Sequence, residues 1–477
     1  MMKQDGMKQE LSRKFYRYVL PSMVSMLLSG FYAMVDGVFV GNAVGSAALA
    51  AINLVYPIQA CLNATAFGLG VGGAVLMSKH LGCDEQYEAQ RAMGTTLSVL
   101  TLAGLVLMGL FWLGKDLLIG LLGATGEIAR HADDYISVII LCGIFPVLGN
   151  GITPLIRNQG RTIQATLFMS SGLVTNIVLD YLLVYRLSMG LRGAAIATVI
   201  AQAAVALLTL FYLFVNNRSV FTLEGLRISG DSLKRIVRIA VSPFGQTLIP
   251  SVIIVLTNWQ CIRYGGDDAL AVFSLLSYVL ASVQLLLQGV GDGIQPLLSF
   301  SYGAGQREEI RYLFRKGILS SILISTLTAI GVSILRAPIV GLFGLSGEVA
   351  QQAQPALVIT ALSFLMVGLT RCISAYFYAV EQTAVSSLLV YIEPCLLYPL
   401  ALWLLPLMFG LSGVWAAYPI AQLALAVLCV ALYLRIERRS AVCSCPVPHR
   451  QSSRCACGGN AGLLPRYPDC IRRASSR

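Results

Sequence analysis

Stretches of about twenty consecutive apolar residues recur along almost the whole chain, for example over 19–40, 94–114, 195–215 and 320–335. An α-helix of that length crosses a hydrocarbon core of roughly 30 Å. Only 12% of the residues are charged, against roughly 25% in soluble domains, so the chain lacks the charge to cover a water-facing surface. The sequence therefore predicts an all-α integral membrane protein.

The apolar stretches predict twelve transmembrane helices, over 15–40, 50–77, 94–114, 133–154, 163–186, 190–216, 238–262, 269–300, 317–343, 350–378, 384–406 and 410–435. Lys and Arg concentrate in alternate loops, on the side of the N-terminus, and loops of that kind are cytoplasmic. We therefore expect a multi-pass protein of the cell's inner or plasma membrane with both termini in the cytoplasm. This topology explains the net charge of +11, and no nucleic-acid partner is expected.

The chain repeats itself at a spacing of 220–222 residues. The matching residues are Pro21 with Pro243, 48–50 with 269–271, the run Gly68, Gly70, Gly72, Ser78 and Gly82 with Gly289, Gly291, Gly293, Ser299 and Gly303, the set Gly123, Gly126 and Glu127 with Gly344, Gly347 and Glu348, and 190–202 with 410–422. Each half holds six predicted helices, an even number, so both halves enter the membrane from the same side. The sequence predicts two parallel-related six-helix lobes with a substrate cavity between them, as in a rocking transporter.

The duplication suggests a division of the chain into five parts. They are a cytoplasmic N-terminal segment (1–14), an N-lobe with helices 1–6 (15–216), a polar cytoplasmic linker (217–237), a C-lobe with helices 7–12 (238–436) and a Cys-rich cytoplasmic tail (437–477). In the tail, the pairs Cys443/Cys445 and Cys455/Cys457 with His449 are candidate zinc or copper ligands. We favour a disordered or out-of-frame tail, because its Pro, Ser, Gly and Arg content does not suggest a folded metal site.

Four polar side chains of the N-lobe are predicted to meet inside the membrane. Asp36 lies late in helix 1, Asn176 and Asp180 lie one turn apart on helix 5, and helix 6 contributes Thr198. At about 1.5 Å per residue all four fall in the outer half of the membrane. Their oxygens are suitable ligands for Na⁺, and buried carboxylates can also carry protons. The sequence therefore does not choose between Na⁺ and H⁺ as the coupling ion. Alternatively, each acid only pairs with a polar neighbour inside the bundle.

The second half lacks this acidic cluster, since the equivalent residues are Asn258, Leu396, Leu400 and Tyr418. Its own acids are Asp292 in helix 8, which aligns with Val71, and Glu393 before Pro394. Each is a candidate for attracting a cationic substrate, or alternatively makes a contact at a helix end or kink. Arg371 is the one basic residue placed plainly inside a span, and it is a candidate partner of either acid.

Three segments resemble the multidrug and toxic compound extrusion (MATE) family, most closely its bacterial branch with a cation site in the N-lobe. They are 34–51, beginning Met-Val-Asp-Gly-Val-Phe-Val-Gly, the run 288–304 around Asp292, and 190–198. The resemblance covers residues 15–436. It implies efflux of cationic or amphiphilic compounds driven by Na⁺ or H⁺, carries the cation-site roles onto Asp36, Asn176, Asp180 and Thr198, and carries a helix-1 bend onto Pro21.

The residues disfavour two other functions. Flippases for lipid-linked saccharides tend to have more spans or a strongly cationic cavity that holds a pyrophosphate, whereas acids dominate inside the spans here. A membrane-embedded enzyme is disfavoured because no His lies inside a predicted span and no hydrolase or metalloprotease motif is present. No ATP-binding motif is present either, so we expect a monomeric antiporter that needs no cofactor beyond its coupling ion.

Overall fold

The computed structural model describes the backbone of residues 2–44, 46–121, 126–222, 224–343, 345 and 347–442. Within these ranges it describes all side chains except those of 2–5, 31–38, 41–43, 46, 47, 49, 50, 53, 121, 127 and 439–442. Residues 1–435 form one compact unit; of a second unit, 436–477, the described part is the end of the last helix.

The described chain folds into twelve transmembrane helices, as the sequence predicts. They are α1 (Met2–Ala43), α2 (Ser46–Gly82), α3 (Gln86–Leu121), α4 (Gly126–Leu141 with Ile144–Asn158), α5 (Thr162–Asp180, prolonged by a π turn over Tyr181–Arg186), α6 (Gly190–Asn216), α7 (230–265), α8 (267–303), α9 (Arg307–Ile334), α10 (Gly347–Ala361 with Ser363–Ala379), α11 (Thr383–Ile392, a π turn over Glu393–Leu397, then 398–409) and α12 (411–442). Short helices over Arg218–Phe221 and Arg336–Leu342 lie between them.

Most of these helices are long and apolar enough to cross a membrane. Among the described residues eight helical runs meet that requirement, with α7–α8 and α11–α12 each counted as one run, and the two halves of α4, bent by 56°, form a ninth. The two double runs are divided at Gly266 (φ 62°) and Gly410 (φ 56°). Glycine adopts this left-handed backbone without the Cβ clash that other residues suffer, so the chain reverses there.

The predicted duplication is visible in the backbone. Residues with positive φ recur in pairs at a spacing of 220 or 221, namely Asp84 with Gly305, Gly126 with Gly347, Gly160 with Glu381 and Gly190 with Gly410. Equivalent loops therefore turn in the same way in both halves, even where the residue types differ.

The lobes meet in a self-complementary contact between the ends of α2 and α8, called the glycine crossing below. A Cβ on Gly82 would stand 2.1 Å from the carbonyl oxygen of Phe300, and one on Gly303 would stand 2.0 Å from that of Lys79. Lys79 and Phe300 are themselves 221 residues apart, so the contact is reciprocal. Such reciprocity requires a two-fold relation, which confirms the two parallel-related lobes. Both helices run toward the end of the bundle that holds the N-terminus, called here the N-terminal side.

Each lobe also has its own apolar core. Leu100 and Ile152 are fully buried in the N-lobe, and Leu357 and Tyr398 are buried in the C-lobe. Large apolar side chains such as Trp403 remain exposed on the outside of the bundle, where a hydrocarbon solvent would surround them. The fold is that of a multi-pass membrane protein.

Candidate functional site

Two of the predicted ion-site residues lie one turn apart on α5. The side chains of Asn176 and Asp180 are both 0% exposed, and residues four apart share one helix face. Asp180 ends the regular α-helix, and the π turn over Tyr181–Arg186 follows directly. π turns interrupt the regular hydrogen-bond ladder and are frequent at functional sites. Asn176, Asp180 and Thr198 are called the oxygen cluster below.

Thr198 on α6 is 2% exposed and lies level with the two α5 residues. At one end of the α5–α6 contact, Gly172 of α5 lies beside Val205 of α6, since a Cβ on Gly172 would stand 2.5 Å from Val205 Cγ2. At the other end, Gly193 of α6 lies beside Leu183 of the π turn, since a Cβ on Gly193 would stand 3.1 Å from the Leu183 carbonyl oxygen. The two helices are antiparallel and advance about 1.5 Å per residue between these points. Thr198 therefore lies between the levels of the two α5 side chains.

Within the part of the chain whose side chains are described, two members of the oxygen cluster have polar atoms without a hydrogen-bond partner. Among the described residues, neither polar atom of the Asn176 amide nor the Thr198 hydroxyl makes a hydrogen bond. Buried polar groups are nearly always paired, and an unpaired one costs roughly 1–3 kcal/mol, so a further ligand is expected. Asp36 belongs to the stretch of α1 whose side chains lie outside the described residues, and its place in the cluster stays a prediction.

Pro21 lies inside α1, and α5 holds the backbone on both sides of it. The Thr162 hydroxyl donates to the Arg17 carbonyl at 2.8 Å, and the Thr166 hydroxyl donates to the Pro21 carbonyl at 2.9 Å. A proline deprives the carbonyl four residues earlier of its helical donor. Thr162 satisfies that carbonyl, a role that the sequence does not predict.

Asp292 of α8 lies between the two lobes. Its Oδ2 is 3.8 Å from Arg157 Nη1 of α4, and its Oδ1 accepts a 3.4 Å hydrogen bond from the Tyr378 hydroxyl of α10. The acid and guanidinium side chains are only 4% and 5% exposed. Arg157 and Tyr378 are repeat counterparts, 221 residues apart, so each lobe offers Asp292 a partner from the same place in its fold.

The next turn of α8 makes a second contact between the lobes. The side-chain amides of Asn158 and Gln295 exchange two hydrogen bonds of 3.1 Å. At the same end of the bundle, Lys79 Nζ lies 2.5 Å from Glu381 Oε2. Together with the glycine crossing, these contacts join the lobes on the N-terminal side.

The predicted helix over 133–154 ends before Arg157, so the sequence assigns no role to this arginine. Arg157 lies in the last turn of α4 and is buried against α8. A hydropathy profile places a charged residue at the end of a span in water. Arg157 is shielded from water only because α8 of the other lobe packs against it. Its neighbour Asn158 escaped notice for the same reason.

Glu393 is the first residue of the second π turn, and a hydrogen bond connects its carboxylate to α12. Gln422 Nε2 donates to Glu393 Oε1 at 2.5 Å and to the Tyr418 hydroxyl at 3.0 Å. The half-buried Arg371 attracts both Glu393 and Asp292 electrostatically. The acid therefore has partners, and its substrate-binding role stays a prediction.

No group of three or more His, Cys, Asp or Glu gathers anywhere in the described part of the chain. The cysteines of the predicted metal-binding tail lie beyond residue 442, outside that part.

A duplicated bundle of twelve membrane helices, with a buried oxygen cluster in one lobe and charge pairs between the lobes, defines a membrane transporter. The sequence model of the MatE family matches residues 21–182 and 244–403, one block in each lobe. The chain belongs to the MatE family, the family that its sequence resembles, and it is a transporter and not an enzyme.

Relatives and solved structures match over nearly the whole chain. The multidrug export protein MepA of Staphylococcus haemolyticus is 23% identical over 91% of this chain and 96% of its own length, and that of Staphylococcus aureus (strain MSSA476) is 24% identical over 90% and 95%. An outward-facing multidrug resistance MATE family transporter of the MOP superfamily (24% identity, TM-score 0.84, 91% and 96% coverage) and a MATE in complex with MaL6 (23%, 0.85, 91% and 97%) share the fold.

Proposed function

We propose that the protein is a secondary antiporter that exports small, drug-like organic compounds, cationic or amphiphilic, in exchange for Na⁺ or H⁺. The name of its MepA relatives, multidrug export protein, supports the cargo class. The proposed partners are these small molecules and membrane lipid, and the protein acts as a monomer in the inner or plasma membrane with both termini in the cytoplasm.

The oxygen cluster is the observation that carries the proposal. The unpartnered Asn176 amide and Thr198 hydroxyl lie level with the buried Asp180 carboxylate. Na⁺ takes carboxylate, amide and hydroxyl oxygens as ligands. A proton would instead neutralise the carboxylate and turn it into a hydrogen-bond donor. Either ion removes one buried negative charge from the N-lobe, with Asp36 proposed as the fourth ligand.

The contacts between the lobes support transport by alternating access. The Arg157–Asp292 ion pair, the Asn158–Gln295 amide pair and the Lys79–Glu381 ion pair close the N-terminal side. If that side is cytoplasmic, as proposed, the cavity is closed toward the cytoplasm. Cargo enters from the cytoplasm only when these contacts part. Ion binding to α5 reaches α1 through the hydrogen bonds that flank Pro21, which supports the proposed helix-1 hinge.

The charges favour this reading over a flippase for lipid-linked saccharides. A pyrophosphate carrier needs guanidinium groups free to bind phosphate. Arg157 faces Asp292, and Arg371 is attracted by both Asp292 and Glu393. Their positive charge is therefore offset by neighbouring carboxylates.

Gradient-driven transport tests the proposal. Purified protein in proteoliposomes is given ethidium and an imposed Na⁺ gradient or H⁺ gradient, one at a time. We expect one of the two to drive dye against its own concentration gradient. Equal dye movement with and without both gradients would remove the antiport proposal.

A further inference from the structure

The helix α1 begins well before residue 15, where the sequence predicts the start of the first membrane helix. Leu11, Phe15 and Val19 follow one another at four-residue spacing, and each is 5% exposed or less. Residues four apart share one face of a helix, so this buried stripe runs into the segment expected to lie in the cytoplasm. A helix surrounded by water would not bury these side chains. Residues 6–16, called the clasp below, therefore pack against another part of the protein.

The partner of the clasp is α9, a helix of the other lobe. The Tyr312 hydroxyl donates a 3.2 Å hydrogen bond to the Lys8 carbonyl. The Lys316 ammonium donates to the Ser12 hydroxyl. The two donors lie four residues apart on α9, and so do the two acceptors on α1. Two successive turns of each helix therefore meet, and the C-lobe holds the beginning of an N-lobe helix.

Lys316 also holds the clasp through two aromatic rings. Its Nζ lies 4.3 Å from the ring centroid of Tyr16 and 5.2 Å from that of Phe15, within the range where the face of a ring attracts a cation. In the part of the chain whose side chains are described, no carboxylate pairs with this ammonium group. An uncharged residue of similar length in place of Lys316 would therefore remove the attraction.

The contacts of the clasp with α9 are open to water. The Tyr16 ring is 49% exposed and Lys8 is exposed as well, so water replaces the partners of both when α9 moves away. An exposed cation–aromatic contact is weak. The next contact along α1 is different, because the Thr162 hydroxyl of the N-lobe satisfies the Arg17 carbonyl, which Pro21 leaves without its helical donor. The C-lobe end of the clasp is therefore the end that releases when the lobes part.

The duplicated fold repeats this grip with different chemistry. Thr95 of α3, the repeat counterpart of Lys316, accepts a 3.3 Å hydrogen bond from the Ser229 amide just before α7. Three residues further along α3, the Ser98 hydroxyl donates to the Leu226 carbonyl at 2.6 Å. Thr95 is fully buried, and these partners are all uncharged. The N-lobe therefore holds the linker by buried neutral bonds, whereas the C-lobe holds the clasp by a half-buried cation.

We propose that the clasp is a releasable tie between the lobes, and that Lys316 is the positioning residue that sets how long the N-terminal side stays closed. The inference rests on the alternating access of the proposed function, since a tie matters only if the lobes part. α5 holds α1 just beyond the clasp, at Arg17, so a change at the proposed ion-site residues reaches the C-lobe through the clasp. One side chain of the lobe without the oxygen cluster thus takes part in coupling.

The labelling rate of Cys83 with a maleimide, in the full-length protein without its other cysteines, tests the clasp. The Cys83 thiol donates to the Gly303 carbonyl at 3.2 Å in the closed crossing, so release of the clasp should expose it. Lys316→Met should raise the rate at least about threefold, as expected when an exposed cation–aromatic contact is lost, whereas Lys316→Arg keeps the cation and should stay within about twofold of wild type. Lys14→Met is the matched control and should change nothing, because Lys14 is 53% exposed and pairs with Glu10 of its own helix.

A reversible cross-link tests whether the clasp must open during transport. With Lys8→Cys and Tyr312→Cys in a protein without its own cysteines, a short bis-methanethiosulfonate joins the clasp to α9 while Lys316 stays in place. We expect the cross-link to stop the exchange of ethidium across proteoliposome membranes, and a reducing agent to restore it. The same reagent should have no effect on either single-cysteine variant.

The outcomes separate this inference from the proposed function, because the labelling needs neither dye nor a gradient. An unchanged labelling rate in Lys316→Met, an equal rise in Lys316→Arg or Lys14→Met, or full dye exchange by the cross-linked protein would each overturn the clasp. If the labelling behaves as expected but no gradient drives the dye, the antiport proposal fails while the clasp stands.

Discussion

The hydroxyl of Thr162 donates a 2.8 Å hydrogen bond to the carbonyl of Arg17, the carbonyl that Pro21 leaves without its helical donor. The helix that carries the proposed ion-site residues Asn176 and Asp180 therefore also stabilises the backbone of α1 at Pro21. A change in the position of α5 acts directly on the backbone around Pro21. The proposed hinge at Pro21 and the proposed ion-site residues are therefore connected through one helix, α5.

Removing this hydroxyl should weaken the α1–α5 contact. Thr162→Val keeps the shape of the side chain but leaves the Arg17 carbonyl without a donor, at a cost of about 1–3 kcal/mol. We expect a lower thermal melting midpoint of the purified protein and slower gradient-driven efflux. Thr162→Ser restores the donor and should recover most of both. Equal stability of the Val and Ser variants would mean that the bond contributes nothing.

Asp180→Asn should abolish dye efflux while the protein still inserts and purifies in normal amounts, because an amide neither binds a proton nor offers Na⁺ a charged oxygen. Transport in proteoliposomes and expression level are the two measurements. The matched control is Asp116→Asn in the same lobe, whose side chain is 91% exposed and which should transport normally. Wild-type efflux by the Asp180 variant would remove the ion-site proposal, and Asp36→Asn should behave in the same way.

The ion pair between the lobes should hold the N-terminal side closed. Asp292→Asn leaves the buried guanidinium of Arg157 without its counter-charge, which is strongly destabilising for a buried pair. We expect this variant to open that side more often. Cys83 reports on it, because its thiol donates to the Gly303 carbonyl at 3.2 Å in the closed crossing.

The measurement is the maleimide labelling rate of Cys83 in a background without the other cysteines. We expect at least a severalfold increase for Asp292→Asn and none for Glu308→Gln, whose side chain is 82% exposed. An unchanged rate in both variants would show that the pair does not control closure.

The glycine crossing should tolerate no side chain. In Gly82→Ala the new Cβ would meet the Phe300 carbonyl oxygen at 2.1 Å, far inside van der Waals contact, so the lobes cannot close on the N-terminal side as they do here. We expect loss of transport and fast labelling of Cys83. Gly109→Ala is the control, because nothing lies within 4 Å of its Cβ position and alanine favours a helix by about 1 kcal/mol over glycine. Normal closure in the Gly82 variant would contradict the crossing.

The sequence predicted the parts of the fold that depend on local pattern and on self-comparison. Apolar length marked the membrane helices, and the repeat marked the two lobes. Hydropathy detects only the part of a helix inside the hydrocarbon, so α2 was expected over 50–77 but continues from Ser46 to Gly82. The roles of Arg157 and Thr162 depend on which helix packs beside them. No feature of their own segments marks that neighbour, so they were missed.

The crossing of Gly82 and Gly303 has an implication for how such a chain arose. A contact in which each residue meets the other's counterpart is the kind made by two identical subunits around a two-fold axis. A six-helix subunit with one copy of this glycine would carry both contacting surfaces. Two such subunits could therefore pair with each other without being joined in one chain. Asp292, whose repeat counterpart is Val71, departs from that symmetry. Such a departure is open to a fused chain, because neither half has to match a copy of itself.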